Sequence, residues 1–466
     1  MNKFVEALRT EDSLTYNGAI THSTSSNACL DLFFLAGACR EESDAKIISK
    51  LSAAYAEDRV KCLKIIFWAG DIRQGAGERR FFKLALNWLN DNHEEDLLKY
   101  LDQVPEFSRW DVLFEINNEK VLDFICGKLK EDKVDGLLAK WLPRKNQYNN
   151  LAKKIQNKIG ITPKTYRKLL VKNTQVVENK MCEKKWNEIY YPSVPSVALN
   201  KYNKAWYRND KERFEQYIED VKSGKSKINA SSIFPHDIIK KAISNYGISV
   251  PLNQAQITQW NNLPNYLEGK TNSIIPVCDV SGSMYCNNKL PITISIALGL
   301  YVSERNEGPF KDAFITFSEK PVMQYLKGDI NARMQQLAMA EWGNNTNLTA
   351  VFNLILDKAI DNKLTQEDMP ETILIISDME FDSCGVMTNM EYIKSKYDEY
   401  DLKMPQLVFW NVNGRSGNVP VKMNDKGVAL ISGASPSILK AVLSNEIHPI
   451  KIMNSVIETN RYSFID

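Results

Sequence analysis

"SIIPVCDVSGSMYCNN", residues 273–288, sets an unbroken apolar run against an aspartate and two serines spaced by single residues. Such a run, rich in β-branched residues and lacking alternation, predicts a strand buried on both faces. It ends on Asp279, Ser281 and Ser283, with Gly282 between the serines. Two structures fit that ending: a polar turn whose serines cap the next helix, or a cradle of oxygen atoms for a cation.

The surrounding texture favours the cradle. "DAFITFS", "ETILIISD" and "QLVFWNV" repeat the apolar run, alternating with helical stretches such as "PITISIALGLYVSER" and "TAVFNLILDKAID". Strands alternating with helices predict an α/β doubly wound, Rossmann-like domain over residues 270–466, with a parallel sheet covered on both faces. In such sheets ligands bind beyond the carboxyl ends of the strands. Asp279, Ser281 and Ser283 stand at one such end and Asp378 at another, while Thr346 lies in the loop "EWGNNTNLTAVF" that leads into a helix. Hard oxygen donors from three separate loops suit Mg²⁺, or another divalent cation such as Mn²⁺.

This set resembles the metal-ion-dependent adhesion site of von Willebrand factor A (vWA) domains: D-x-S-x-S, then a loop threonine, then an aspartate after a later strand. The resemblance implies that Ser281, Ser283 and Thr346 offer hydroxyls to the metal. Asp279 and Asp378 would act directly or through water, and Gly282 would let the loop turn without a Cβ. Thr349 is a second candidate threonine, but the glycine-led "GNNTN" context points to Thr346. Neutral hydroxyls leave the cation short of negative charge, so it keeps attraction for an anion brought by a partner. With no His or Glu placed nearby in sequence as a general base, the pattern predicts binding and no catalysis.

Residues 1–269 have a different texture. Apolar residues in "SDAKIISKLSAAYAEDRVKCLKIIFWAG" and "EEDLLKYLDQV" recur at three and four positions, and no β-period of comparable length appears. The length of 466 residues also calls for more than one core. This half therefore reads as a separate all-α domain of repeated helix pairs. Eight cysteines are scattered without a C-x-x-C pair and the four histidines lie far apart, which argues against zinc and disulfides and suits a reducing cytoplasm. No segment has the ~20 apolar residues of a membrane helix, and the N-terminus lacks an apolar signal core.

Net charge is only +2 but unevenly spread. From Lys140 to Lys185 there are thirteen Lys or Arg against Glu178 and Glu183, whereas residues 271–466 hold seventeen basic against twenty-three acidic residues. The basic stretch interleaves Lys140, Arg144, Lys145, Lys153, Lys154, Lys164, Arg167 and Lys168 with Trp141, Tyr148 and Tyr166. Cations neutralise phosphates and aromatics stack unpaired bases, so nucleic-acid contact is the functional expectation; a solvated helix face is the plainer one. Upstream, "AGDIRQGAGERRFF" sets Arg73, Arg79 and Arg80 around two glycines without a P-loop ending. Those arginines either meet phosphate or pair with neighbouring acids.

"NGAITHSTSSNACLDLFF", "DIRQGAGERR", "FSRWDVL", "AKWLPRKN" and "TPKTYRKLL" are similar to the TROVE module of Ro autoantigen-type proteins. That resemblance implies HEAT-like helical repeats arranged as a ring that binds small structured RNAs, followed by a vWA domain. "CDVSGSM", "IISDMEFD" and "VFWNVN" resemble a further family, widespread and partly viral, with the same layout. In "NASSIFPHDII", His236 would touch RNA or cap a helix. The function implied is a ribonucleoprotein scaffold for small structured or misfolded RNA, with a Mg-dependent site for a partner's carboxylate. The alternative is a vWA protein-interaction module of a viral or chaperone-associated assembly that binds no RNA.

Overall fold

The computed structural model describes residues 12–466 apart from 145–148, 229, 231–232, 245–246, 270–272, 318–319, 341–345, 386, 415–416 and 444–446. The chain opens with an antiparallel hairpin of β1 (Asp12–Leu14) and β2 (Ile20–His22). Helices follow: α1 (Ala28–Ala36), α2 (Asp44–Glu57), α3 (Arg59–Gly70), α4 (Arg79–Asn92) and α5 (Glu119–Lys130). Next come α6 (Asn149–Ile159), α7 (Pro163–Asn173), α8 (Lys211–Lys222), α9 (Pro235–Ile239) and α10 (Gln254–Asn261), with shorter turns between them. The α/β region then runs β3 (Ile274–Cys278), α11 (Cys286–Arg305), β4 (Ala313–Thr316), β5 (Met323–Tyr325), α12 (Ile330–Met339) and α13 (Leu348–Asp361). It ends with β6 (Thr372–Ser377), α14 (Asn389–Glu399), β7 (Gln406–Asn411), β8 (Val428–Ser432) and α15 (Pro449–Ile457). Among the described residues no helix is long and apolar enough to cross a membrane.

These elements form two compact units, one of residues 1–69, 74–78 and 233–466, the other of residues 70–73 and 79–232. The first contains a six-stranded sheet in the order β8-β7-β6-β3-β4-β5, parallel except at β5. Every residue of β3, β4, β6 and β8 is buried, which is why these strands read as unbroken apolar runs. β3, the first strand, stands inside the sheet with β4 on one side and β6 on the other. The chain therefore reverses its direction of winding at β3, and the crevice past its carboxyl end is the place where such sheets take ligands.

The expected boundary near residue 270 falls where the chain enters β3, but packing runs across it. α1 is buried on all sides, from Cys29 to Ala36, and closes one edge of the sheet. The Ser432 hydroxyl at the end of β8 donates to the Phe33 carbonyl at 2.7 Å and accepts the Gly37 N–H at 3.0 Å. A Cβ on Gly37 would stand 2.7 Å from the Gly433 backbone nitrogen, so the close approach needs glycine. A helix with no polar face has to be sheathed, and here the sheet's unit sheathes it.

A second close approach fixes α11 on β3. A Cβ on Gly299 would collide with the Cys278 sulfur, and both residues are buried. Gly299→Ala is expected to destabilise the protein by ~1–3 kcal/mol through overpacking, measurable as a lowered urea midpoint with unchanged slope. An unchanged midpoint would show that α11 can slide on the sheet.

The second unit is helical throughout its described residues. α4 buries Phe81, Phe82, Ala85, Leu86, Trp88 and Leu89, and α5 buries Val121, Leu122, Ile125, Cys126 and Leu129. Both show the three-and-four spacing that one buried stripe requires.

Candidate cation site and candidate nucleic-acid interface

Asp279 continues β3 by one residue, its N–H donating to the Ile376 carbonyl at 3.0 Å. Its carboxylate is fully buried. Oδ1 accepts the Ser281 N–H at 2.9 Å, and Oδ2 accepts the Ser377 hydroxyl at 2.6 Å. Burial holds this carboxyl above the usual carboxylate range; the bonds from Ser377 and Ser281 oppose that, and the nearby charge of Asp382 reinforces it. Ser281 Oγ and Ser283 Oγ lie 2.9 Å apart, and either can donate to the other. Immediately after, Asn287, Asn288 and Lys289 take left-handed backbone angles (φ 47°, 54° and 64°). Asparagine tolerates this conformation, while for Lys289 it costs roughly 1–2 kcal/mol.

Thr346 and the loop after β6 form a second cluster. Thr346 is 2% exposed, and its hydroxyl lies 2.6 Å from the Glu380 carbonyl as donor and 3.3 Å from Asp382 Oδ1. The Asp382 N–H returns a bond to the Thr346 carbonyl at 3.1 Å. Asp378 is buried beside this loop, with Oδ1 facing the Glu380 N–H at 3.4 Å. Ser281, Ser283 and Asp279 are thus bonded into one group with Ser377, and Thr346 is bonded into another with Glu380 and Asp382. The link between the two groups is the charge of Asp382, which adds slightly to the upward push on the Asp279 carboxyl. Gly343, Asn344 and Asn345 of "GNNTN" lie outside the described residues, whereas Asn347 caps α13 by accepting the Ala350 N–H at 2.9 Å.

One separation in the first group suits a hard divalent cation, while Thr346 bonds only within the second. In an octahedral shell with ~2.1 Å bonds, neighbouring ligand oxygens stand about 3 Å apart, which is the Ser281–Ser283 hydroxyl separation. Among the described residues no three His, Cys, Asp or Glu side chains gather into a metal-holding cluster, so hydroxyls would supply much of the shell. Ser281, Ser283 and Thr346 would hold the ion, with Asp279 and Asp378 behind them. Gly282 does not act as expected: its φ is outside the left-handed region, and an added Cβ meets nothing within 4 Å.

Three contributors escaped the sequence reading. Ser377 lies opposite Asp279 because β3 and β6 pair as Cys278↔Ile376. Asp382 belongs to "DMEFD", and a third acid so close behind Asp378 at a strand end was a usable signal, although Met379 turns the chain there with a left-handed φ of 67°. Asn17, which donates to Thr346 Oγ1 at 3.0 Å, comes from the N-terminal hairpin and gave none.

Comparison with known proteins places the chain. A domain of unknown function, DUF2828, matches residues 15–110 and 121–271. The chain belongs to the DUF2828 family. A second domain of unknown function, DUF7788, matches residues 273–461, so the strand-end cluster lies in the DUF7788 part except for Asn17. "Uncharacterized protein L728" of Acanthamoeba polyphaga mimivirus is 30% identical over 509 residues, covering 96% of this chain and 87% of the viral protein. The DUF2828 match ends at residue 271 and the DUF7788 match begins at residue 273.

The basic stretch lies wholly in the DUF2828 part. α6 turns Ala152 and Ile155 inward, and α7 turns Tyr166 and Leu170 inward. On their opposite faces Lys153, Lys154, Lys164, Arg167, Lys168 and Lys172 are exposed. The five lysines make no hydrogen bond or ion pair with any described residue, and Arg167 bonds only its own helix, at the Pro163 carbonyl. Lys164, Lys168 and Lys172 repeat every fourth residue, and each like-charged neighbour pair costs roughly 0.2–0.5 kcal/mol. Bound phosphate would relieve that repulsion.

Other predicted contacts are engaged elsewhere. Tyr166 is fully buried with its hydroxyl on the Pro143 carbonyl at 3.2 Å, so it cannot stack on a base. Lys140 pairs with Glu178 at 3.0 Å, and Arg144 donates to Thr174 Oγ1 at 3.0 Å. Arg73 pairs with Glu106 at 3.2 Å and Arg79 with Asp111 at 3.7 Å, the pairing expected if they bind no phosphate. Arg80 is partly buried on α4. Lys145 and Tyr148 lie outside the described residues.

His236 is neither an RNA contact nor a cap. It sits in the first turn of α9 at 8% exposure, and its Nδ1 has no hydrogen-bond partner among the described residues. Burial lowers its pKa from 6.5 to about 4. The unfolded chain therefore binds the extra proton first, so stability is full above pH 6.5 and falls as pH drops towards 4. The loss is expected to be on the order of 3 kcal/mol, read from urea melts across that window, and His236→Gln should flatten the slope. An equal slope in the variant would place the acid sensitivity elsewhere.

Proposed function

We propose that this chain is an RNA-binding scaffold whose sheet-containing unit carries a divalent-cation site for an anionic partner. The observation that carries the RNA half is the face of α6 and α7. Exposed lysines stand there without acids, opposite a buried apolar stripe. Lysine repeated on one helix face holds phosphates by charge, so binding follows RNA shape and backbone more than base sequence. The TROVE resemblance supports this reading and adds HEAT-like repeats that form a ring around a single-stranded end. The buried thiols of Cys29, Cys39, Cys62, Cys126 and Cys278, which form no disulfide, suit a reducing cytoplasm.

In the sheet unit, Mg²⁺ or Mn²⁺ held by Ser281, Ser283 and Thr346, with Asp279 and Asp378 behind, would attract a partner's carboxylate as in a vWA domain. We assign no catalysis to it. The reading without RNA, a protein-interaction module alone, keeps the 2.9 Å hydroxyl pair and needs no basic face. Fluorescence anisotropy with a small hairpin RNA at rising salt separates the two. Affinity that falls steeply supports the scaffold, and no measurable affinity leaves only the module.

A further inference from the structure

Thr346 is buried to 2%, yet the side chain bonded to it, Asn17, is exposed. From its solvent side, Asn17 Nδ2 donates to Thr346 Oγ1 at 3.0 Å and to the Glu380 carbonyl at 2.7 Å. The rest of the hairpin tip is tied to the same loop. Thr15 Oγ1 donates to the Phe381 carbonyl at 2.7 Å, the Tyr16 N–H donates to Glu380 Oε2 at 2.6 Å, and Gly18 bridges Asp382. The stem is pinned to the loop after β7, where Thr21 Oγ1 donates to the Val419 carbonyl at 3.0 Å and His22 bridges Val419. Residues more than 300 positions apart thus meet at one candidate ligand, although a hairpin this short is marginally stable alone.

Resting on the cation reading of the site, we propose that residues 15–18 are its resident partner, supplied by the chain itself. Asn17 sets a carboxamide where an external protein would set a carboxylate. The two groups share a shape, but the amide is neutral and donates hydrogen bonds, so it satisfies Thr346 and Glu380 without adding charge beside Asp382. An external carboxylate gains the attraction of an under-neutralised cation, which the amide lacks, and can displace the tip. The partner class is therefore an acidic side chain that competes with residues 15–18.

The test uses full-length protein, Mn²⁺ as the metal and ¹³C-acetate as the carboxylate. Electron paramagnetic resonance counts bound Mn²⁺, and acetate relaxation reports access to it. Wild type and Asn17→Ala are both expected to bind Mn²⁺, with acetate relaxed, per bound ion, at least about fivefold more in the variant because the cover is gone. Asn17→Asp is expected to tighten Mn²⁺ at least about tenfold while still excluding acetate, since it places the missing charge on the ion. Equal acetate relaxation in wild type and Asn17→Ala overturns the proposal, whatever Asn17→Asp does, provided Mn²⁺ binding is weakened in Ser283→Ala. Absent Mn²⁺ binding, or binding unchanged in Ser283→Ala, defeats the cation site and this inference with it.

Discussion

The double substitution Ser281→Ala and Ser283→Ala will lower Mn²⁺ affinity by about a hundredfold or more, while Gly282→Ala between them will leave it within about twofold. The two hydroxyls stand 2.9 Å apart, and a divalent ion between them would lose two oxygens at once. Asp279 would make up only part of the loss, because each of its carboxylate oxygens already accepts one bond, from the Ser281 N–H and the Ser377 hydroxyl. Gly282 tolerates a methyl because its backbone is ordinary and the space beyond its Cα is open. The measurement is a titration of free Mn²⁺ by electron paramagnetic resonance. Equal affinity in the serine variant would reduce the cluster to a polar turn.

Alanine at Lys153, Lys154, Lys164 and Lys168 together will weaken binding of a small hairpin RNA on the order of 10³ at 0.1 M salt. Each phosphate contact contributes up to about 0.9 log unit per decade of salt below 1 M, and four are removed. Because lysine reads charge, hairpins of unrelated sequence should lose affinity alike. The four side chains are exposed and pair with no described residue, so folding stability should change little. Arg73→Ala and Arg79→Ala serve as the contrast: both arginines are held by acids, and their loss should cost far less RNA affinity. A binding-shift assay with two sequences checks both statements. A loss confined to one sequence would point to base readout by other residues.

The sheet was readable because parallel strands sheathed on both faces leave unbroken apolar runs, and β3, β4, β6 and β7 all lie within the quoted segments, whereas β8 lies in none of them. Alternation with helices predicts a parallel sheet, though not its strand order, and the polar residues after β3 and β6 could therefore be named as the site. The hairpin at residues 12–22 was not readable. Its strands are three residues each, too short for a period, and its partners Val419 and Asp382 lie far along the chain. The place of α1 was hidden for a different reason: helical spacing reports that a face is buried, never against what. In the basic stretch, composition marked the cations but could not separate Lys158, paired with Glu119 and Asp123, from Lys154. Nor could it tell that Tyr166 turns inward, since residues 166 and 170 occupy the buried stripe of α7.

The most direct test of the scaffold reading is the salt dependence of RNA binding by the unaltered full-length protein between 50 and 200 mM. If about five phosphates meet the lysine face, log K will fall against log salt with a slope near −4 for RNA of mixed single and double strands. An affinity that stays flat across that range, or no binding at 50 mM, would contradict the account.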